Sequence, residues 1–220
     1  MKQYILNLII LVMILTGCTA QITTTNGPVN LQTNMDAVAA YYNGQYDKDV
    51  LKLSIEADIF IAKTLKSRQY NKPAIVFDVD DTLLNNYSFY QRNGFQFRRS
   101  LWEQWVNMAN IPAIAPIQSL YAKYVDRVDI FIVTGRNVFQ RSQTLRNLKG
   151  QGYDNWTGIF FKEEWDRKLT AKQYKTRIIN QIQNTSDVQI IANFGDQESD
   201  FGSDIIGRSF RLPNLLYVTE

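Results

Sequence analysis

An apolar run that drives into a knot of carboxylates constrains this chain more than any other feature. Residues 75–86 read IVFDVDDTLLNN, so Asp78, Asp80 and Asp81 fall within four positions directly behind a stretch that has the composition of a buried strand. Carboxylates this close repel one another, and a buried strand end screens them poorly. The segment is therefore either a solvated acidic turn or one wall of a site that takes a cation. A calcium loop fails on spacing. Its turn glycine would have to stand at Leu83, and its twelfth position, normally Glu, is Phe89. Asp78 and Asp80 are two apart, so they could offer a hard cation one carboxylate and a nearby backbone carbonyl while the second carboxylate faces a substrate.

Two absences narrow the chemistry. The chain has 220 residues and no histidine, which removes Ser-His-Asp and Cys-His catalysis, phosphohistidine intermediates and imidazole-based zinc sites. It has one cysteine, so no intrachain disulfide forms. Catalysis is left to carboxylates, hydroxyls, lysines and oxygen-bound metal. A net charge of +3 with no long like-charge blocks argues against a nucleic-acid polymer as partner. With 45% hydrophobic residues a sizeable core can form.

The chain opens with Lys2, an apolar run over residues 8–15 and then small residues. That run is short for a membrane span and has the layout of an export signal. Leu15-Thr16-Gly17-Cys18 resembles the bacterial lipobox, in which cleavage precedes a lipidated cysteine. The competing readings are an ordinary signal with an incidental cysteine, or a transmembrane anchor. The expected organisation is a lipoprotein signal peptide over 1–17, a lipid-anchored tether over 18–34 and one domain over 35–220. Thr19 rather than Asp after the cysteine fits sorting to an outer membrane, where the organism has one.

Apolar residues at helical spacing, among them Leu51, Ile55, Ile59, Ala62 and Leu65, predict one or two helices over 35–67, with a break near Asn43-Gly44. Four apolar runs of strand length follow at 74–77, 128–133, 158–161 and 188–192. Helical stretches lie near 100–110, 117–126, 138–151 and 171–183. Alternation of this kind predicts a parallel sheet covered on both faces, with ligands beyond the carboxyl ends of its strands. The acidic knot follows the first run, Thr134-Gly135-Arg136 the second, and Gly195-Asp196 the fourth. Singly, each feature has an ordinary reading. Thr134 could be a turn residue, Lys175 and Lys172 surface lysines, Asp200 a helix cap and Arg136 half of a structural ion pair. Their common position at strand ends is what marks a site.

The order Asp-x-Asp-x-Thr, Thr after a hydrophobic strand, Lys, then Gly-Asp-x-x-x-Asp resembles the haloacid dehalogenase superfamily. FDVDDTLLNN, WEQWVNMANIPAIAP, FIVTGRN, YKTR and NFGDQESD followed by GRSFRLPN resemble its class C acid phosphatases, bacterial lipoproteins related to plant acid phosphatases and vegetative storage proteins. The resemblance covers about residues 36–217. Asp81 departs from it, standing where the family often has Glu. The resemblance implies an α/β fold, a Rossmann-like parallel sheet with a small helical cap over 83–116. It implies Asp78 as nucleophile and Asp80 as general acid and base, its carboxyl raised by neighbouring carboxylates. Magnesium would be held by Asp78, the Asp80 carbonyl and Asp196, with Asp200 in support behind them. Thr134 and Lys175 would bind the phosphoryl group, Lys175 preferred over Lys172 because Tyr174-Lys175-Thr176-Arg177 matches the family stretch. The implied substrate is a small phosphomonoester, a nucleoside monophosphate or an aryl phosphate, with Tyr87, Phe89 and Tyr90 as stacking candidates at the entrance. Trp102 and Trp105, three apart on a helix, are expected to share a buried face. The alternative is a non-catalytic binding lipoprotein on the same fold. Membrane contact would come through the N-terminal lipid, and association into oligomers is left open.

Overall fold

The computed structural model describes residues 30–202 and 207–219. The expected signal peptide, Cys18 and the tether up to residue 29 lie outside those residues. Helix α1, Leu31–Ala40, begins where the Asn30 side chain accepts from the Gln32 backbone N–H at 2.8 Å. Residues 31–34, expected in the tether, are therefore the first turn of a helix that Asn30 caps. The break expected near Asn43-Gly44 is a π-helical turn, Tyr41–Gln45, leading without interruption into α2, Tyr46–Lys66. Tyr42 of the turn stacks on Tyr46 at the start of α2 with ring centroids 4.7 Å apart. Among the described residues no helix is long and apolar enough to cross a membrane.

Five strands form one parallel sheet: β1 Pro73–Phe77, β2 Asp129–Asn137, β3 Gly158–Lys162, β4 Gln189–Gly195 and β5 Arg208–Arg211. Their order is β3-β2-β1-β4-β5, so β1 is central and the chain reverses its direction of growth between β1 and β4. The expected strands agree with β1 to β4 to within a few residues. β5 escaped the sequence reading because it is a four-residue edge strand in which only Phe210 is buried. The connections carry α3 Tyr87–Arg92, α4 Arg99–Met108, α5 Ala115–Tyr124, α6 Arg141–Gly150 and α7 Ala171–Ser186.

Side chains of β1 alternate between two cores. Ile75 and Phe77 join the cluster with α2 and α5, while Ala74 and Val76 join Tyr174, Ile178 and Ile182 of α7. Burial on both faces is why the strands read as unbroken apolar runs. α2 buries Tyr46, Val50, Ser54, Ala57 and Ile61. Of the residues whose spacing announces the helix, Leu65 packs against the core, whereas Leu51, Ile55 and Ile59 lie on the outer side. α3 and α4 stand between β1 and α5 and put Phe89, Trp105 and Val106 into the core.

Candidate active site

The reversal between β1 and β4 leaves a crevice at the carboxyl ends of the strands, the position where open α/β sheets bind ligands. The Asp78 backbone N–H donates to the Phe194 carbonyl at 2.9 Å, so the chain leaving β1 stays laced to β4. A tight turn follows. Leu83 and Leu84 donate to the Val79 carbonyl at 3.0 and 2.9 Å, and Asp81 takes a left-handed backbone, φ 55°. The turn sends the three carboxylates to different partners.

Asp78 faces Lys175, whose Nζ lies 2.6 Å from Asp78 Oδ1 and also pairs tightly with Asp200. Lys175 comes from the second turn of α7, whose start is set by a capping box between Thr170 and Gln173. Lys172, its rival in sequence, is exposed. Burial works against the Lys175 charge, but Asp200 and Asp78 outweigh it and hold the ammonium well above the ordinary lysine value. Asp196 closes β4. Its Oδ2 accepts both the Gln197 side-chain amide at 2.5 Å and the Asn214 amide at 2.6 Å, which leaves Oδ1 for another partner. Asp200 Oδ2 accepts from the Gln197 backbone at 2.8 Å. Gly195 makes this packing possible: a Cβ there would lie 2.6 Å from Asp200 Cγ and closer still to two other Asp200 atoms.

Carboxylate oxygens of Asp78, Asp196 and Asp200 come within 4.8 Å of one another, all three residues buried. Burial first, then the carboxylates of Asp200 and Asp196, push the Asp78 carboxyl well above its ordinary 3.8, against the pull of Lys175. Burial, with Asp200 and Asp81 adding to it, pushes Asp196 up to about 7. One lysine cannot neutralise three such groups. An all-oxygen, net-anionic donor set fits a hard divalent cation. Asp78 and Asp196, with the Asp80 carbonyl, would hold it; Asp200 stands in the same cluster, where its Oδ1 already meets Lys175 and its Oδ2 the Gln197 backbone N–H.

Asp80 contributes no carboxylate to that cluster. Arg136 forks onto it, Nη2 to Oδ1 at 2.7 Å and Nε to Oδ2 at 3.0 Å, and Asn86 Nδ2 donates to Oδ1 at 3.0 Å. The group facing it most closely is thus a cation, where the sequence suggested crowding by carboxylates. Arg136 is almost completely buried and also donates to Thr144 Oγ1 at 3.0 Å. Thr134 is buried too, its hydroxyl accepting from the Arg136 backbone at 3.1 Å, while Gly135, Arg136 and Asn137 form the cavity wall at this strand end. Asp81 turns away from the reacting side. It accepts from the Asn86 backbone at 2.9 Å and from the Tyr217 hydroxyl at 3.0 Å, and burial raises it to about 7.

A cavity of about 650 Å³ opens over Asp78, Lys175 and Asp196. Of the three stacking candidates only Tyr90 lines it, and Tyr90 is already stacked on Tyr217 at 5.4 Å. Phe89 is buried among Trp102, Trp105 and Tyr90, and Tyr87 stacks on Tyr42 at 4.5 Å. The aromatic wall is instead Phe97 and Trp102. Trp102 and Trp105 share the face that packs on Phe89, as expected, but Trp105 is buried with Nε1 donating to Asn86 at 2.9 Å, whereas Trp102 is partly buried and also meets the cavity. Asn86, Gln197, Asn214 and Tyr217 were not singled out from sequence. For Asn86 and Asn214 the only sequence signal is an amide beside an apolar stretch, in LLNN and RLPN; Gln197 and Tyr217 carry none.

A family model described as HAD superfamily, subfamily IIIB (acid phosphatase), matches residues 6–220. Acid phosphatase 1 of Solanum lycopersicum is 32% identical over 188 residues, which cover 83% of this chain and 73% of that protein. The stem 28 kDa glycoprotein of Glycine max is 31% identical over 197 residues, 84% of this chain and 75% of that one. Among solved structures, the class C acid phosphatase from Bacillus anthracis superposes with a TM-score of 0.71 at 20% identity, covering 86% of this chain and 87% of that one. The same enzyme with tungstate bound gives 0.69. These superpositions speak to the fold.

Proposed function

The chain belongs to subfamily IIIB of the HAD superfamily, the acid phosphatases, and is a phosphomonoester hydrolase; from that premise we propose that it cleaves small phosphomonoesters through a phosphoryl group carried on Asp78, with magnesium in the site. The observation that carries this reading is the convergence of Asp78, Asp196 and Asp200 around Lys175 beneath an open cavity. A retired site would have no use for three buried carboxylates in one place.

Asp78 attacks phosphorus in line, forming an Asp78 Oδ–P bond as the ester P–O bond breaks. Asp80 gives its proton to the leaving oxygen and later takes one from the water that attacks the phosphoenzyme. The Arg136 fork fixes where Asp80 points; Oδ1 also accepts from Asn86, so the lone pair left for the substrate side is on Oδ2. Lys175 offsets charge on the transferring group, moving from its carboxylate partners toward phosphate. Asp78, Asp196 and the Asp80 carbonyl would hold magnesium, with Asp200 beside them, and the ion would supply the electrostatic shielding that lets two anions meet. The cavity's Phe97 and Trp102 suit a flat leaving group, the base of a nucleoside monophosphate or an aryl ring.

Export as a lipoprotein through Cys18, to the outer membrane where there is one, completes the proposal. Its support is the lipobox-like Leu15-Thr16-Gly17-Cys18.

The test is phosphate release from an aryl phosphate and a panel of nucleoside monophosphates, with magnesium and with chelator, beside Asp78→Asn. Magnesium-dependent turnover that the substitution abolishes supports the proposal. Turnover unaffected by chelator or by Asp78→Asn overturns it.

A further inference from the structure

The outer side of α2 carries a surface that catalysis does not use. Leu51, Ile55 and Ile59 are 50%, 52% and 64% exposed, one turn apart in succession. At about 100° per residue they span roughly 80° of arc, and Lys48, Lys52, Lys63 and Lys66 fall on that arc or just beside it. All four lysines are exposed, and none forms an ion pair among the described residues. Two of the helix's four acids are ion-paired. Asp49 accepts from Tyr41 and Gln45, Asp58 is held by Lys123 and Tyr124, and Glu56 pairs with Arg208. Asp47 remains, in the first turn. The face is therefore aliphatic along its middle and cationic along its border, four lysines standing against the two acids of the helix that no cation pairs, Asp47 and Asp49.

We infer that this face of α2 seats the protein on an anionic lipid bilayer, Leu51, Ile55 and Ile59 entering the headgroup boundary and the lysines meeting lipid phosphates. The charge pattern selects this occupant. A second copy would bring the four lysines against themselves, with Glu56 and Asp58 already paired and only Asp47 and Asp49 left to offset them. An aliphatic stripe flanked by lysines whose stems can cover apolar surface is the composition of an interfacial helix. Each lysine near an anionic surface contributes about 1 kcal/mol, roughly five-fold in partitioning. The surface does not depend on the proposed lipidation, although a lipid at Cys18 would raise its local concentration and leave it the task of orienting the domain.

The test uses residues 19–220, which contain every described element and no lipidated cysteine. Cosedimentation is measured with phosphatidylcholine vesicles containing phosphatidylglycerol, and with phosphatidylcholine alone. Binding to the anionic vesicles only, weakened by salt, is expected. The triple change Lys52→Gln, Lys63→Gln, Lys66→Gln lowers the partition coefficient about 100-fold, and Leu51→Ser, Ile55→Ser, Ile59→Ser lowers it roughly ten-fold or more. Phosphate release stays at the unsubstituted level in both, which shows that the variants are folded. Equal binding to neutral vesicles, no binding to either, or binding that survives the substitutions overturns the inference. So does concentration-dependent dimerisation that the serine variant abolishes, which would assign the face to a second copy.

Discussion

Removing the Lys175 ammonium gives the sharpest reading of the site's charge balance. In Lys175→Met the aliphatic stem is kept, but Asp78 loses its partner at 2.6 Å and Asp200 loses its tightest contact. Both carboxylates are buried, and Asp196 stands with them. Breaking a buried pair by deleting one partner costs about 3–5 kcal/mol, because a charge is left uncompensated. For a domain of this size that lowers Tm by roughly 6–20 °C. The loss depends on pH in a stated direction. Asp78 binds its proton more tightly folded than unfolded, so acid supplies the neutrality that the lysine supplied. In chelator at pH ~8 the full loss is expected, falling to about 1–2 kcal/mol near pH 5. Urea unfolding of both proteins at the two pH values measures it. A variant as stable as the parent at the higher pH, or an equal loss at both, refutes the argument that Lys175 compensates these carboxylates.

The unsubstituted protein without metal follows the same sign. Asp81 and Asp196, both raised to about 7 from 3.8, take up protons in the folded state first, so stability in chelator rises as pH falls from about 7 toward 3.8. Asp58, held below 3.8 by Lys123 and Tyr124 against its burial, reverses the trend only at lower pH. Thermal unfolding from about pH 7 to below 3.8 checks both limbs. Asn214→Ala frees Asp196 Oδ2 from one of its two amides, and we expect magnesium affinity by calorimetry to drop about ten-fold or more while the fold is retained. Gly195→Ala forces Asp200 aside, and a displacement of ~1 Å there lowers kcat about 100-fold with a smaller change in KM.

Much of this was legible in the sequence because both features of a parallel α/β sheet leave marks on it. Strands buried on both faces read as apolar runs, and ligand-bearing strand ends read as polar residues immediately behind them. Asp78 and Asp196 come together for that reason, and Lys175 reaches them from the second turn of α7. Partner choice was less legible. Whether Asp80 faces carboxylates or Arg136 depends on a turn with Asp81 at φ 55° and on the height of β2 beside β1. Neither is encoded in spacing. The aromatic wall was misassigned because Phe89 and Trp102 are equally aromatic in sequence, and only packing sends one inward and the other to the cavity. The amides from Asn86 and Asn214 act across 6 and 18 positions, with no period to announce them.

The central claim is that Asp78 carries the phosphoryl group. Turnover of a substrate labelled in its phosphate, quenched in acid and mapped by peptide, tests it directly. The account predicts a hydroxylamine-labile label on the peptide containing Asp78, absent in Asp78→Asn. Turnover with no trapped label under any quench time, or label on another residue, would contradict it.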